Sequence, residues 1–366
     1  MARIAINGFG RIGRLFFRQA FGLPGLEIVA INDLGDVENL AYLLTYDTVY
    51  HRYERKVESN KEKGAFVVDG KEVRVLQVKD PTQLPWKDLR IDIVVEATGL
   101  FESFEKASVH LAAGAKRVVL TAPAKDEDGP VKSPDGNHGA SVAGSTVLMG
   151  VNDAMLGKCA VSSNASCTTN SAAPVIQVLS QNPGILKAVL GTVHAMTTTQ
   201  NLADGPVKLL DGNHGAGPVR GASDFRRGRS AGANIVPSTT GAATAVTRAI
   251  PEFKGKFDGL AYRVPVATGS LSDITFVAKR KTSVEEINEI LTRASQEARW
   301  RGILAVTRDQ LVSSDVIGAP YAAIVDLSFT KVIDGDLVKV LSWYDNEWGY
   351  VSTLVRHVST VATALT

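Results

Sequence analysis

Residues 3–13 read Arg-Ile-Ala-Ile-Asn-Gly-Phe-Gly-Arg-Ile-Gly, and this stretch decides the fold of the first half of the chain. The apolar run from Arg3 to Ile6 predicts a strand, and an amphipathic helix is predicted to continue to about Phe21. The Gly-x-Gly-x-x-Gly spacing between them lets a backbone approach a pyrophosphate that rests on the helix N-terminus. The residues predicted to contact a dinucleotide here are Gly8, Gly10, Arg11, Ile12 and Gly13. A purely structural strand–helix turn is the alternative.

An acidic residue at the expected distance strengthens the dinucleotide interpretation. Glu27 to Ile31 predicts a second buried strand, and Asp33 follows twenty residues after Gly13. A carboxylate at this place accepts hydrogen bonds from the adenosine ribose and repels a 2′-phosphate. The next residue, Leu34, offers no cation for such a phosphate, so the sequence favours NAD over NADP. An incidental surface aspartate is the alternative.

Further strands predict a doubly wound parallel sheet. Ile91 to Glu96 and Arg117 to Leu120 are apolar runs separated by a helical stretch, and residues 66–75 predict a hairpin around Asp69-Gly70. Loops at the carboxyl ends of parallel strands face the ligand in such sheets. The loop residues that this rule selects, each of which could equally be an ordinary turn residue, are Thr98, Gly99 and Thr121.

The segment Ser162 to Asn170 reads Ser-Ser-Asn-Ala-Ser-Cys-Thr-Thr-Asn and predicts a reactive thiol. A strand is expected over Lys158 to Ser162 and a helix over Ser171 to Leu179. A thiol at a helix N-terminus is favoured as thiolate by the helix dipole and by unpaired N–H groups. A free cysteine is more often a small buried hydrophobe, but the polar neighbours of Cys167 favour an electrophile-binding site.

Beyond Cys167 the pattern predicts a second domain with a mixed, largely antiparallel sheet. Expected strands are Val189 to His194, Ser272 to Ala278 and Leu337 to Trp343; expected helices are Ser283 to Ala298 and Tyr350 to the end. A lone histidine is usually structural, but His194 ends a buried strand and opens a threonine run. We therefore interpret it as the general base for Cys167.

The same half of the chain supplies groups that suit anions. Arg226-Arg227-Gly228-Arg229 precedes a hydroxyl run that meets a predicted helix start at residues 238–243, and Arg263 ends an apolar strand. Arginines, hydroxyls and a helix N-terminus together make a phosphate site. The arginine cluster could equally be a solvated face.

Bulk composition limits the class of protein. With 366 residues, two domains are expected, and 45% hydrophobic with 21% charged residues describes a globular protein. No apolar run is long enough for a membrane span, and the first residues enter a strand without a signal peptide, so a cytoplasmic location is expected. Two cysteines exclude a disulfide framework, no metal site is expected, and a net charge of +2 does not indicate nucleic acid.

Several ordered motifs closely resemble the phosphorylating glyceraldehyde-3-phosphate dehydrogenases. They are Ile6–Arg14, Ser163–Asn170, Val193–Thr197, Ser238–Ala243, Tyr262–Pro265 and Trp343–Tyr350. The resemblance implies an NAD-binding Rossmann domain over residues 1–166, completed by a C-terminal helix at 345–366. It also implies an α+β catalytic domain over 167–344, and a homotetramer.

The motifs that match this family imply roles for individual residues. Cys167 is expected to be the nucleophile and His194 its base, acting on glyceraldehyde 3-phosphate. The resemblance implies three further groups: C3-phosphate ligands Thr197, Thr199 and Arg227, with Arg263 between the two anion sites; inorganic-phosphate ligands Ser166, Thr168, Thr240 and Gly241; and nicotinamide contacts Asn346 and Tyr350. Ser171 replaces a second cysteine that many relatives carry, which removes one route to a disulfide.

Two rival functions remain at this stage. An enzyme of the same superfamily that acts on erythrose 4-phosphate would hydrolyse the thioester, whereas the threonines at 197, 199 and 240 favour the phosphate-using type. An NAD-binding scaffold without catalysis is the second rival, and the intact Cys167, His194 and anion motifs argue against it.

One feature lies outside the resemblance. Residues 128–140 and 204–216 are near-identical, differing only at Ser133/Leu209 and Pro134/Leu210, and they fall where the chain is longer than its relatives. Their Gly, Pro, Asn and Asp content predicts surface loops. They are either passengers or, with His138 and His214 as a paired contact, loops that tune tetramer stability or NAD retention.

Overall fold

A computed structural model describes residues 1–131, 142–207 and 224–365. The chain divides into two compact units, one formed by Met1–Ser166 with Val351–Thr366 and the other by Cys167–Tyr350. Most of the two near-identical segments, including His138 and His214, lies outside the described residues.

The first unit carries a ten-stranded sheet in the order β10-β11-β12-β9-β8-β1-β2-β7-β6-β5. Its strands are β1 (Ala2–Asn7), β2 (Leu26–Asn32), β5 (Val57–Asn60), β6 (Ala65–Val68), β7 (Lys71–Leu76), β8 (Ile93–Glu96), β9 (Arg117–Leu120), β10 (Gly129–Val131), β11 (Val142–Thr146) and β12 (Val161–Ser163), and a small separate hairpin pairs β3 (Tyr46–Asp47) with β4 (His51–Arg52). Its helices are α1 (Arg11–Ala20), α2 (Val37–Thr45), α3 (Phe104–Ala107) and α4 (Val109–Ala112), with short 3₁₀ turns at Pro81–Gln83 and Asp153–Lys158.

Seven strands from β11 to β7 run parallel, and each edge ends in an antiparallel hairpin. The central strands are almost wholly buried, because a parallel sheet is covered on both faces and its strands are therefore continuous apolar runs. The predicted hairpin is confirmed: Asp69 and Gly70 both have positive φ, as a two-residue turn of this kind requires.

The second unit is built on a seven-stranded sheet in the order β14-β15-β13-β16-β19-β18-β17. Its strands are β13 (Ile185–Ala195), β14 (Val236–Thr239), β15 (Phe257–Val264), β16 (Ser270–Ala278), β17 (Leu304–Thr307), β18 (Ala323–Ile333) and β19 (Leu337–Tyr344). Its helices are α5 (Cys167–Gln181), α6 (Ala242–Ala249) and α7 (Val284–Gln296), and α8 (Trp348–Thr363) begins here and continues into the first unit; 3₁₀ turns lie at Phe225–Gly228, Pro251–Phe253, Ala298–Trp300 and Ser313–Val316.

Four of the six strand pairings in this sheet are antiparallel, which agrees with the predicted fold class. Side chains of β16 alternate between buried and half-buried positions, because one face packs on α5. The other face carries exposed apolar side chains, of which Val189 is 53% and Tyr262 41% exposed.

Two expected boundaries are wrong around the cysteine. The helix begins at Cys167 and not at Ser171, and the strand expected from Lys158 begins only at Val161. Thr168, Thr169 and Asn170 form the first turn of α5, where short polar side chains are well tolerated because the N–H groups of a first turn lack partners within the helix. The thiol thus belongs to the first residue of the helix.

An aspartate holds the start of each near-identical segment. Asp128 accepts hydrogen bonds from Thr146 N–H (2.7 Å) and from the Thr146 and Ser145 hydroxyls, and Val131 is paired directly with Val142. Asp204 likewise accepts from Ser230 N–H at 2.8 Å. In each case the aspartate that opens the segment is held by a backbone N–H from a later part of the chain.

No helix within 1–131, 142–207 and 224–365 is both long and apolar enough to cross a membrane.

Candidate active site

Three glycines shape the turn between β1 and α1, each for a different reason. Gly8 has φ +94°, and a Cβ there would lie 2.6 Å from the backbone of Ala97 and Thr98. A Cβ on Gly13 would lie 2.1 Å from the Gly8 carbonyl oxygen, whereas one on Gly10 would meet nothing within 4 Å. The turn is therefore tightly packed on its protein side and open beside Gly10, as close approach of a pyrophosphate requires.

Asp33 lies beside this turn. Its Oδ2 accepts from Phe9 N–H at 2.7 Å and its Oδ1 from Gly35 N–H at 2.9 Å, so the carboxylate is held in one orientation. A cavity of about 330 Å³ opens here, lined by Gly8, Gly10, Asp33, Leu34 and Thr98 among others. A ribose diphosphate fits this set of groups: acceptors at Asp33 and helix N–H donors beside Gly10.

The other predicted cofactor residues of this unit lie around the same edge of the sheet. Arg11 and Ile12 open α1, and the Arg11 side chain pairs with Asp47, so their contribution is the backbone N–H of the helix start. Gly99, with φ +72°, follows Thr98 after β8, and Thr121 follows β9.

Cys167 and His194 are brought together in the second unit. Cys167 Sγ lies 3.3 Å from His194 Nε2, because α5 begins at the cysteine and β13 ends just after the histidine. His194 Nδ1 lies 2.7 Å from the Ala195 carbonyl oxygen, which can only accept, and 2.5 Å from Arg263 Nη1, which can only donate. In the tautomer that carries its proton on Nδ1, the Nε2 lone pair faces the thiol, as a general base requires.

Arg263 lies beside this pair of residues. Its Nη1 lies against the His194 ring and donates to the same Ala195 carbonyl oxygen at 3.2 Å. Burial, followed by the Arg263 charge, lowers the pKa of His194 to about 3. Burial raises the pKa of Cys167, while Arg263 and the Thr168 hydroxyl oppose that rise.

Neither member of the pair is easily charged alone, but a proton can move between them. Transfer from Sγ to Nε2 creates opposite charges 3.3 Å apart. Their attraction is about 5 kcal/mol at an effective dielectric constant of 20, which offsets much of the cost of burial. The thiol and imidazole are therefore close enough to exchange a proton directly.

Tyr344 was not predicted as a site residue, yet it supports the pair. Its hydroxyl lies 2.9 Å from Thr168 Oγ1 and 2.8 Å from Thr192 Oγ1, and its ring meets the His194 ring edge-on. Burial and then the Cys167 charge raise the pKa of Tyr344, so it remains a neutral hydroxyl. Buried residues alternate with more exposed ones along β19, which places Tyr344 on the inner face with Val338, Val340 and Ser342. This alternation is the sequence signal that could have indicated an inward position for Tyr344.

The predicted anion ligands fall into two sets. Thr197 and Thr199 share a turn with their hydroxyl oxygens 3.0 Å apart. Burial lowers the pKa of Arg263, and the positive charge of Arg227 lowers it further. The second set includes Thr168 in the first turn of α5 and Gly241 at the start of α6, a helix that packs on α5. Thr240 Oγ1 accepts from Ala242 N–H at this start, and Ser166 directly precedes the cysteine.

Asn346 is held in a fixed orientation. Its Oδ1 accepts from Gly269 N–H at 3.1 Å and from the Ser270 hydroxyl at 2.9 Å. Fixing the oxygen also fixes the direction of the amide N–H₂, the group that could donate to a carboxamide oxygen. Tyr350 is buried one turn further along α8.

The described residues contain no group of three or more His, Cys, Asp or Glu placed to hold a metal ion.

Comparison with known proteins agrees with this geometry. Residues 2–104 match the NAD binding domain of glyceraldehyde 3-phosphate dehydrogenase, and residues 166–346 match its C-terminal domain. Curated proteins named glyceraldehyde-3-phosphate dehydrogenase are similar over 97% of both chains in Clostridium pasteurianum (46% identical) and Thermotoga maritima (46%), and over 96% of both in Streptomyces coelicolor (43%). The chain belongs to the glyceraldehyde-3-phosphate dehydrogenase family.

Proposed function

We propose that the protein oxidises glyceraldehyde 3-phosphate with NAD and inorganic phosphate, giving 1,3-bisphosphoglycerate through a thioester on Cys167. The observation that carries this proposal is the 3.3 Å contact between Cys167 Sγ and His194 Nε2, beside the Arg263 cation. A chain that had become a silent scaffold would not need this pairing.

The first half of the reaction uses the thiol and the imidazole. Nε2 takes the thiol proton as Sγ bonds to the aldehyde carbon, and the imidazolium then donates to the new oxyanion. Bound NAD supplies the hydride acceptor. His194 takes the hydroxyl proton as the hydride departs, which leaves an acyl thioester on Cys167.

The second half transfers the acyl group. Ser166, Thr168, Thr240 and Gly241 hold inorganic phosphate with the help of two helix starts. A phosphate oxygen attacks the thioester carbonyl, the C–S bond breaks, and the leaving thiolate recovers a proton through His194. Energy from the oxidation is thereby retained in the acyl phosphate.

Substrate selection rests on the C3 phosphate. Thr197, Thr199 and Arg227 hold that group, and its binding energy orients the aldehyde carbon toward Sγ. Arg263 lies between the two anions and contributes to both.

We further propose that the protein is a homotetramer that works in the cytoplasm. Support for assembly comes from the outer sheet face of the second unit, where Val189, Val193, Leu260 and Tyr262 are all more than a third exposed. A contiguous apolar face of this kind is typical of subunit contacts. Reducing conditions would suit Cys159 and Cys167, both of which are free thiols.

One assay tests the function. NADH formation is measured with glyceraldehyde 3-phosphate and with erythrose 4-phosphate, each with and without inorganic phosphate. We expect fast, phosphate-dependent turnover of the three-carbon substrate, which Cys167→Ser abolishes while NAD still binds. Preference for erythrose 4-phosphate without a phosphate requirement would replace the proposal with the hydrolytic reaction, and no turnover of either substrate would favour the scaffold.

A further inference from the structure

Beneath the NAD cavity lies a buried carboxylate to which neither the motifs nor the reaction assign a role. Glu96, the last residue of β8, is 3% exposed. Its side chain points among polar groups of the β1 and β8 ends, which are also the ends that line the cavity. Burial of a carboxylate is costly unless hydrogen bonds compensate, so its partners must be accounted for.

Four donors converge on this carboxylate. Oε1 accepts from Thr98 N–H (2.8 Å) and from the Thr98 hydroxyl, while Oε2 accepts from Asn7 Nδ2 (2.6 Å) and His110 Nε2 (2.9 Å). Two carboxylate oxygens can accept all four bonds. An amide or a protonated acid at this place would direct its own N–H or O–H toward a group that also donates.

His110 is a neutral donor in this cluster and not a counter-ion. Trp86 Nε1, which can only donate, lies 3.1 Å from His110 Nδ1, so Nδ1 accepts and the proton resides on Nε2. Both side chains are fully buried. The indole thus fixes the tautomer that holds Glu96 Oε2.

These bonds tie together the two walls of the cofactor cavity. Asn7 immediately precedes Gly8, and its Oδ1 accepts from Asn32, which precedes Asp33. Thr98 is the residue whose backbone lies against Gly8, at the distance where a Cβ would clash. Glu96 therefore connects the glycine turn, the Asp33 strand end and the Thr98 loop.

We propose that Glu96 is a positioning residue for NAD: its carboxylate sets the spacing between the Gly8 turn and the Thr98 loop, with His110 and Trp86 fixing its orientation. Glu96 does not contact the reacting atoms. Its loss should therefore affect cofactor binding and leave the chemistry on Cys167 intact.

Glu96→Gln tests this with no change in shape. An amide nitrogen in place of Oε2 opposes both Asn7 Nδ2 and His110 Nε2, and one in place of Oε1 opposes Thr98 N–H. Loss of hydrogen bonds to a buried charge should weaken NAD binding roughly tenfold or more. We expect the KM for NAD to rise, kcat at saturating NAD to stay near wild type, and alkylation of Cys167 by iodoacetamide to be unchanged. Glu27→Gln, in β2 of the same sheet but exposed and paired with Arg3, is the matched control and should bind NAD normally.

A second variant separates positioning from general damage. Asn7→Asp combined with Glu96→Gln returns a carboxylate to the cluster, at a place where His110 Nε2 already lies 3.4 Å from the residue 7 side chain. This double variant should recover a large part of the lost NAD affinity. All titrations are made at a temperature where circular dichroism shows each variant folded.

Either of two outcomes overturns the inference. Folded Glu96→Gln that binds NAD as tightly as wild type shows that the carboxylate does not position the site, and a fall in kcat without a change in the KM for NAD shows that it acts elsewhere. Because the readout is NAD binding, a failure of the proposed substrate assignment would leave this result interpretable.

Discussion

At the scale of single residues, the charge of Arg263 acts to lower the pKa of both Cys167 and His194. Its charge lowers the pKa of His194 and opposes the burial that raises the pKa of Cys167. An imidazole that is a weak base when alone still receives the thiol proton, because the thiolate then pairs with it. In the proposed reaction the same cation also serves the two substrate anions, so we expect one side chain to act in several steps.

The pair predicts the effect of His194→Asn. Without Nε2 no group at that distance takes the thiol proton, so alkylation of Cys167 by iodoacetamide at pH 7 should slow roughly tenfold or more. Cys159 will not obscure the measurement, since burial raises its pKa to about 11. The exposed His51→Asn is the control, and an unchanged alkylation rate for His194→Asn would remove His194 from the activating role.

Residues differ in how far the sequence alone could place them. Cys167, His194 and Asp33 carry local signals, since each stands at a strand end or a helix start. Tyr344, Glu96 and His110 do not, because each role depends on at least one partner that is 14 to 176 positions away in the chain. A tyrosine inside an alternating strand has the same local pattern whether it packs in a core or hydrogen-bonds beside a nucleophile.

At the scale of elements, two glycine substitutions in the turn between β1 and α1 should distinguish an effect on folding from an effect on NAD binding. Gly13→Ala places a Cβ 2.1 Å from the Gly8 carbonyl and should lower both thermal stability and NAD affinity. Gly10→Ala meets nothing within 4 Å, so it should fold normally and still lose NAD affinity by tenfold or more, because the methyl group occupies the cofactor side of the turn. Thermal unfolding and NAD titration measure the two effects, and normal NAD binding by Gly10→Ala would move the pyrophosphate elsewhere.

The β10–β11 hairpin predicts that its connection can be shortened. Since Val131 and Val142 are paired partners, an Asn-Gly turn can replace residues 132–141. We expect the midpoint of thermal unfolding and the affinity for NAD to stay near wild type, whereas Asp128→Ala should cost about 1–3 kcal/mol by leaving buried donors unpaired. A replaced turn that loosens subunit association or NAD binding would instead favour the tuning role for the near-identical segments.

Whether a stretch forms a helix or a strand was easier to predict than the residues at which that element begins and ends. The strand–glycine–helix order and the Asp-Gly hairpin follow from local chemistry, so both agree with the sequence. The start of α5 does not, because Thr168, Thr169 and Asn170 favour a loop on their own. The helix includes them because it packs against β13, β16, β18 and β19.

At the scale of the whole molecule, each unit contains a buried neutral histidine that couples stability to pH. His357, 2.7 Å from the Ser162 hydroxyl in the first unit, has its pKa lowered by burial to about 3, as does His194 in the second. The unfolded chain binds a proton on each near pH 6.5, so it takes up more protons than the folded chain between about pH 6.5 and 3. Stability is therefore full above this range and falls as the pH drops through it.

The size of this effect can be measured with His357→Gln. From pH 7 to pH 5 each histidine should cost about 2 kcal/mol. The variant, which has no titrating group at this site, should show a smaller downward shift of its urea midpoint over the same interval, even if it is less stable at pH 7. Equal shifts in wild type and variant would mean that His357 is not the group responsible.

The hairpins at the two edges of the sheet in the first unit also affect how readily one molecule pairs with another. A seven-stranded parallel sheet without them would present long unpaired backbone edges to every other nascent copy of the chain. One outer strand, β10, contains Pro130, which lacks an N–H, and the other, β5, is short and carries Glu58 beside Lys56. Proline, short length and charge each discourage edge-to-edge pairing between molecules. Both outer strands of this sheet are therefore poor templates for pairing with another copy of the chain.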